Sequence, residues 1–266
     1  MKSQSMTVSA PEQQPRQEPA APGGEKAKKA PTPPRVRRRL SAEEINPYTR
    51  HVHEHPEVLL AEPTPEALRE RLLAASTGQE SPGLVLDLGC GSGNFLLEMA
   101  RNHPELRFVG FELRFKRLVK GARKVEKEGL RNVWLLRERA ERFPAYFDPP
   151  LPGLGGLERV HVNFPDPWPR AGDRAKRLVS QGFLDDLARM LSPRGSLCFK
   201  TDHSGYFLHV LSLLERRPDW RLRVFRNDLL RRPLATPTPR SEFEQLFRSK
   251  GRPIHYLELE KTGTDR

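Results

Sequence analysis

Only two cysteines, Cys90 and Cys198, occur in the 266 residues of the chain. They are too few for a disulfide framework and lack the spacing of a metal-ligand set, so both are expected to be reduced thiols. No apolar run approaches the roughly 18 residues of a membrane span, and the N-terminus has no apolar segment of the kind a secretory signal requires. Membrane and secreted classes are therefore set aside, and a cytoplasmic protein is expected. The spaced histidines His51, His53 and His55 hint at a metal but have no acidic or cysteine cluster to complete the three or four convergent ligands a site needs, and none is expected. Acidic charge is scarce too: 34 Asp and Glu against 46 Lys and Arg leave a net +12.

Half of that excess sits in residues 1–40, which hold nine basic residues against three acidic ones together with seven prolines. Almost no large apolar side chain is present there, so the segment cannot bury enough surface to offset its conformational entropy and is expected to be disordered. The remaining residues, about 226, suit one large α/β domain. Residues 41–80 read as an N-terminal extension ending in an amphipathic helix from Pro65 to Ala75, and 81–266 as the main domain.

Short apolar runs bounded by turn residues at Leu84–Leu88, Phe108–Phe111, Val133–Leu136 and Val160–Phe164 have the signature of buried parallel strands. Helical patterns fall between them at Asn94–Asn102, Leu113–Glu128 and Ala140–Tyr146. Further on come a helix near Lys176–Leu191, a strand Ser196–Thr201, a helix Gly205–Arg216, a strand Trp220–Phe225, a Pro- and Arg-rich loop Leu229–Arg240 and a last strand Ile254–Glu260. The rhythm implies an α/β fold with a doubly wound, mostly parallel, seven-stranded sheet.

Two signals place a ligand at one end of that sheet. In LVLDLGCGSGNFLLEMA the first strand runs into Gly89, Gly91 and Gly93 and then a helix, where glycines permit the close backbone approach that a ligand over a helix N-terminus demands. The turn lacks the third glycine at the spacing of the dinucleotide fingerprint G-x-G-x-x-G, so S-adenosyl-L-methionine, which has no pyrophosphate, fits better. Glu112 closes the second strand in FVGFE, 23 residues after Gly89, where an acid can accept hydrogen bonds from both ribose hydroxyls. Asp87 either meets the ligand's amino group or fixes the turn by accepting backbone N–H bonds.

After the fourth strand, NFPDPWPR leaves the sheet rigidly, because Pro165, Pro167 and Pro169 fix φ and forbid further pairing. A pre-set loop holding Asp166 and Trp168 at a strand's carboxyl end suits a planar base, with a carboxylate for its edge and a ring for its face; the alternative is a stiffened connection with Trp168 in the core. Arg170, Arg174, Lys176 and Arg177 follow and read as phosphate contacts or a solvated helix start. On Leu113–Glu128, Arg117, Lys120, Lys124 and Lys127 recur at helical spacing as one charged stripe, a weak RNA contact.

Taken in order, DLGCGSGNF, FVGFEL, NFPDPWPR, FKTDH and SEFEQLF resemble the bacterial tRNA (guanine-N7)-methyltransferase family over about Leu84 to Leu259. The resemblance implies a class I (Rossmann-like) methyltransferase that moves a methyl group from S-adenosylmethionine to N7 of a guanine in the variable loop of tRNA, at tRNA position 46. It makes tRNA the partner and leaves monomer and homodimer open. Carried over by motif, Asp87 stands where the family has Glu, Glu112 is the ribose acid, and Asp166 is the catalytic acid between cofactor and substrate. Arg170 replaces a lysine, Asp202 is the acid of TD, and Ser241, Glu242, Phe243 and Glu244 match the substrate box T-x-F-E. Where the family has Asp-Ala after the third strand, Arg139 precedes Ala140 and Glu138 lies one place earlier, so either takes the adenine contact. Asp173 and Arg174 replace a histidine-containing basic run. An exocyclic-amine methyltransferase, a non-catalytic RNA-binding homologue and a small-molecule methyltransferase are the competing readings.

Overall fold

The computed structural model describes residues 46–75, 83–150, 154 and 156–262. The basic segment 1–40 lies outside the described residues. The elements run β1 (Leu59–Leu60), α1 (Pro65–Ala74), β2 (Leu84–Leu88), α2 (Asn94–Asn102), β3 (Arg107–Phe111), α3 (Phe115–Glu128), β4 (Val133–Leu136), α4 (Pro144–Phe147), β5 (Leu157–Asn163), α5 (Gln181–Met190), β6 (Leu191–Thr201), α6 (Ser204–Leu213), β7 (Trp220–Arg226), α7 (Glu242–Ser249) and β8 (His255–Lys261).

They build one eight-stranded sheet in the order β1-β4-β3-β2-β5-β6-β8-β7, in which only β8 runs antiparallel to its neighbours. The expected seven strands are there, and β1 adds an eighth: Leu59 and Leu60 pair parallel with Leu135 and Leu136. Two residues give no periodicity to read. Every residue of β2, β3 and β4 is buried, because helices cover both faces of a parallel sheet. The two faces are served by two sets of core side chains, one with Leu86, Leu88, Phe111, Val160 and Val162, the other with Val85, Phe108, Leu118, Val119 and Leu135. The strand order turns around between β2 and β5, which opens a crevice beyond their carboxyl ends.

Local chemistry sets the helix ends. The helix expected from Leu113 starts at Phe115 because Glu112 Oε1 accepts the N–H groups of Leu113 and Arg114, each at 2.9 Å, and holds both residues out of it. It stops at Gly129, whose φ of 66° is the left-handed cap glycine favours. The helix expected from Lys176 divides: Ala171–Lys176 is a 3-10 turn, and α5 starts after Ser180, whose hydroxyl accepts the Phe183 N–H. Helix α7 has no counterpart among the expected elements. Its N-cap, Ser241 Oγ accepting from Glu244 N at 3.1 Å, is the serine half of the sequence signal S-x-x-E that announces it, the Glu244 carboxylate being taken by Lys200 and Arg248.

Candidate active site

Strand β2 ends at Leu88 and the chain turns through Gly89, Gly91 and Gly93 with φ of 89°, 60° and 78°, a run that side chains other than glycine rarely adopt. A β-carbon at Gly89 would meet no atom within 4 Å, whereas one at Gly93 would lie 2.7 Å from Leu97 Cδ1. The first glycine thus faces open space and the third packs. That space is a cavity of about 980 Å³, bordered by Gly89, Glu112, Glu138, Arg139, Asp166, Trp168, Phe243 and others. A smaller recess, sharing Gly89 and Phe243 with it, is lined by Asp87, Gly91, Ser92, Asn94, Ser241 and Glu242.

Glu112 is largely buried. One oxygen holds the start of the α3 turn as described, and the other lies 3.4 Å from the Arg117 guanidinium. Beyond the end of the neighbouring strand β4, Glu138 accepts from the Arg139 N–H at 2.7 Å and from the Tyr146 hydroxyl at 3.1 Å. Arg139 is exposed and reaches Glu141 at 3.5 Å. Asp87 is 1 % exposed and its carboxylate accepts from Asn163 Nδ2 at 3.3 Å, not from the turn. Burial pushes its carboxyl up to about 7, against the pull of that hydrogen bond and of Lys200.

The proline-stiffened loop carries its polar groups into the large cavity. Asp166 is exposed there, and Trp168, half-buried, borders the same space with its ring capped by Lys176 Nζ at 4.9 Å from the centroid. Trp168 therefore is not a core residue. Phe164 and Trp168 have φ of 53° and 42°, so both ends of the Asp166 segment sit in a conformation that costs an L-residue about 1–3 kcal/mol each.

Helix α7 closes the recess from above. Glu242 accepts from Ser92 Oγ and, at 3.2 Å, from Asn94 Nδ2, while Arg117 stacks on the Phe243 ring at 5.4 Å. Glu244 points the other way: it is 2 % exposed and pairs with Lys200 at 2.9 Å and with Arg248 at 2.8 Å.

Four predicted residues line neither cavity: Gly93 and Glu244, as described above, and with them Asp202 and Arg170. Asp202 is fastened to Arg252 at 2.8 Å, and Arg170 is exposed outside the lining. The charged runs also divide differently from their spacing. Of the α3 stripe, Arg117 is the partner of Glu112, and Lys124 Nζ lies 3.2 Å from both Ser92 O and Ser92 Oγ, so two of its four cations are committed to internal partners and one of these, Lys124, holds the glycine turn. Of the basic run after FPDPW, Lys176 pairs with Asp173 at 2.6 Å and Arg177 is buried. Ser92, Asn94, Lys124, Asn163 and Arg177 were not singled out for these places by the sequence; nothing in a charged helical stripe tells which cation turns inward. Among the histidines, His55 Nδ1 lies 2.7 Å from Glu126 and His51 Nδ1 2.7 Å from Glu54. No helix among the described residues is long and apolar enough to cross a membrane.

Known proteins are similar to this chain in sequence and in fold. Residues 81–257 match the family model described as "Putative methyltransferase". A tRNA (guanine-N(7)-)-methyltransferase of Lactobacillus gasseri is 34 % identical over 215 residues, covering 77 % of this chain and 92 % of the relative. The chain belongs to the tRNA (guanine-N7)-methyltransferase family. A bifunctional glycosyltransferase/methyltransferase of Fusobacterium nucleatum is likewise 34 % identical, over 68 % of this chain but only 27 % of its own length; this family member thus corresponds to about a quarter of that protein. Among solved structures, the 16S rRNA methyltransferase KamB superposes with a TM-score of 0.53 at 19 % identity, covering 76 % of this chain and 96 % of that one. That likeness shows the class I methyltransferase fold.

Proposed function

We propose that the protein methylates N7 of a guanine in the variable loop of tRNA, in the cytoplasm, with S-adenosylmethionine as donor. The observation that carries this reading is that the Asp166 carboxylate, the Gly89 turn and Glu112 border one cavity. The residues present suit the donor: an open glycine at the turn, an acid after β3, and Glu138 in place of an aspartate after the adjacent β4, which makes Glu138 rather than exposed Arg139 the partner for the adenine edge. Asp87, next to Lys200 and beneath the recess, is the group for an ammonium. When bound, the donor supplies a methyl group on a positively charged sulfur.

Guanine N7 carries an in-plane lone pair and no proton, so the acceptor needs no general base and orientation dominates. Held by two positive-φ residues, Asp166 accepts from the N–H edge of the purine and its charge offsets the cation that forms on the ring. Trp168 offers a stacking face, and the base is splayed from the RNA to reach it at an unstacking cost of a few kcal/mol. Arg170 and Arg174, exposed and without ion pairs among the described residues, take phosphates at the rim. Asp202, held by Arg252, supports its own turn and leaves the base edge to Asp166.

The test is incubation of purified protein with labelled S-adenosylmethionine and unmodified tRNA, followed by nucleoside analysis. Label in 7-methylguanosine at the variable loop is expected. Label at N2 of guanine or N6 of adenine would make the protein an exocyclic-amine methyltransferase, and binding without turnover a non-catalytic RNA-binding homologue.

A further inference from the structure

Arg177 is a cation that the sequence groups with a phosphate-gripping run, yet the fold turns it inward. It is 4 % exposed. Its Nε donates to the carbonyl of Pro167 at 2.9 Å and its Nη1 to the carbonyl of Gly205 at 3.2 Å, with the guanidinium 4.8 Å from the centroid of Tyr206. No carboxylate pairs with it among the described residues. An ion stripped of water and given only carbonyls and a ring is a poor stabiliser compared with an apolar side chain of similar volume. Its position has another use.

Pro167 is the residue between Asp166 and Trp168, and the flanking Phe164 and Trp168 hold positive φ. Backbone of that kind persists only where its surroundings over-determine it. Proline nitrogens carry no hydrogen, so Pro165, Pro167 and Pro169 give the loop no amide donors of their own. The Pro167 carbonyl takes its donor from outside the loop: Arg177 Nε reaches it, while a second nitrogen of the same rigid planar fork reaches Gly205. The other end of the tether is equally fixed: Tyr206 is fully buried, and its hydroxyl accepts the Val179 N–H at 2.9 Å, two residues beyond Arg177.

We propose that Arg177 is a positioning residue for methyl transfer: by binding the Pro167 carbonyl at the cavity's wall, it sets where Asp166 and Trp168 stand in the cavity. This rests on the methyltransferase reading above. Displacement of a reacting group by about 1 Å costs on the order of a hundredfold in rate, and a lysine, with one nitrogen and no plane, does not restore both carbonyl bonds and the stack together. Arg177 borders the same large cavity as the donor-site residues, but its hydrogen bonds go to Pro167 and Gly205 and to none of Gly89, Glu112 or Glu138.

The experiment compares wild type with Arg177→Lys and Arg177→Gln. Expected are a kcat lower by about a hundredfold, a Kd for S-adenosylhomocysteine by calorimetry and a KM for tRNA each within about threefold of wild type, and native near-ultraviolet circular dichroism. With 5-fluorotryptophan, three fluorine resonances report Trp134, Trp168 and Trp220. Only that of Trp168 is expected to move, since Trp134 and Trp220 are buried elsewhere in the core. Guanidinium ion added to Arg177→Gln is expected to restore part of kcat. A kcat equal to wild type overturns the proposal; so do loss of native circular dichroism in both variants and parallel losses of kcat, tRNA affinity and donor affinity with all three resonances shifted, each of which makes Arg177 a stability element only. Wild-type protein that places no methyl at guanine N7 overturns the function instead, a result visible before any variant is made.

Discussion

Asp166 and Asp87 are both carboxylates near one crevice, but water treats them oppositely. Asp166 is exposed in the cavity, so Asp166→Asn removes charge without disturbing packing. Its kcat is expected to fall by about 10²- to 10³-fold, the range for losing one electrostatic contact to a transition state, with donor affinity by calorimetry little changed. Equal kcat in wild type and variant would show that the loop does not meet the acceptor. Asp87 is buried, and its proton is held up to about pH 7 against an ordinary 3.8. Between those values the folded chain keeps a proton that the unfolded chain has released, so stability declines as pH rises through that window and levels off above it. Urea melts at pH 5 and pH 8 are expected to show this loss in wild type and to show less of it in Asp87→Asn, whose amide does not titrate.

At the scale of elements, α7 depends on a buried ion pair. Lys200 on β6 and Glu244 on α7 are 3 % and 2 % exposed at the side chain, 2.9 Å apart, with Thr238 accepting from the same ammonium at 2.9 Å. Glu244→Gln leaves Lys200 charged and uncompensated, a change that costs about 3–5 kcal/mol and is expected to lower the thermal midpoint by roughly 10 °C. Lys200→Met with Glu244→Leu is expected to recover most of that, because desolvating the pair takes much of what its attraction returns. If calorimetry finds the single variant as stable as the wild type, α7 is not anchored by this pair. The same helix shows what the sequence conceals. The strand–turn–helix from Leu84 to Asn102 was legible because apolar runs and glycines are local signals, and the structure reproduces its limits. Helix α7 was hidden by the expectation of a loop ending at Arg240, although Ser241 and Glu244 already spelled its S-x-x-E signal. Inward cations were beyond reach: Lys124 and Arg177 read as members of charged runs and Lys200 was not singled out at all, and the partners of Lys124, Lys200 and Arg177 at Ser92, Glu244 and Gly205 lie 32, 44 and 28 residues away. Asp202 is the converse case, since its motif is local but its ion-pair partner Arg252 is not.

At the scale of the whole molecule, charge is unevenly spread. Half of the net +12 lies in residues 1–40, while several cations of the folded part are committed to internal partners: Arg117, Lys124, Lys200 and Arg177 each hold another part of the protein. Fewer positive charges therefore face a polyanion than the composition suggests, and the N-terminal segment carries a correspondingly larger share of the long-range attraction. Removing residues 1–40 is expected to raise the KM for tRNA about tenfold at 50 mM salt, to flatten the dependence of log KM on log salt, and to leave kcat unchanged, since counterion release scales with the phosphates neutralised and not with the chemistry. At roughly 0.5 M salt, where the Debye length is only a few ångströms, full-length and shortened chains are expected to converge. Steady-state assays of both chains across that range decide it: parallel lines at every salt concentration would mean that recognition of tRNA resides wholly in the exposed basic residues around the cavity, with Arg170 and Arg174 foremost among them.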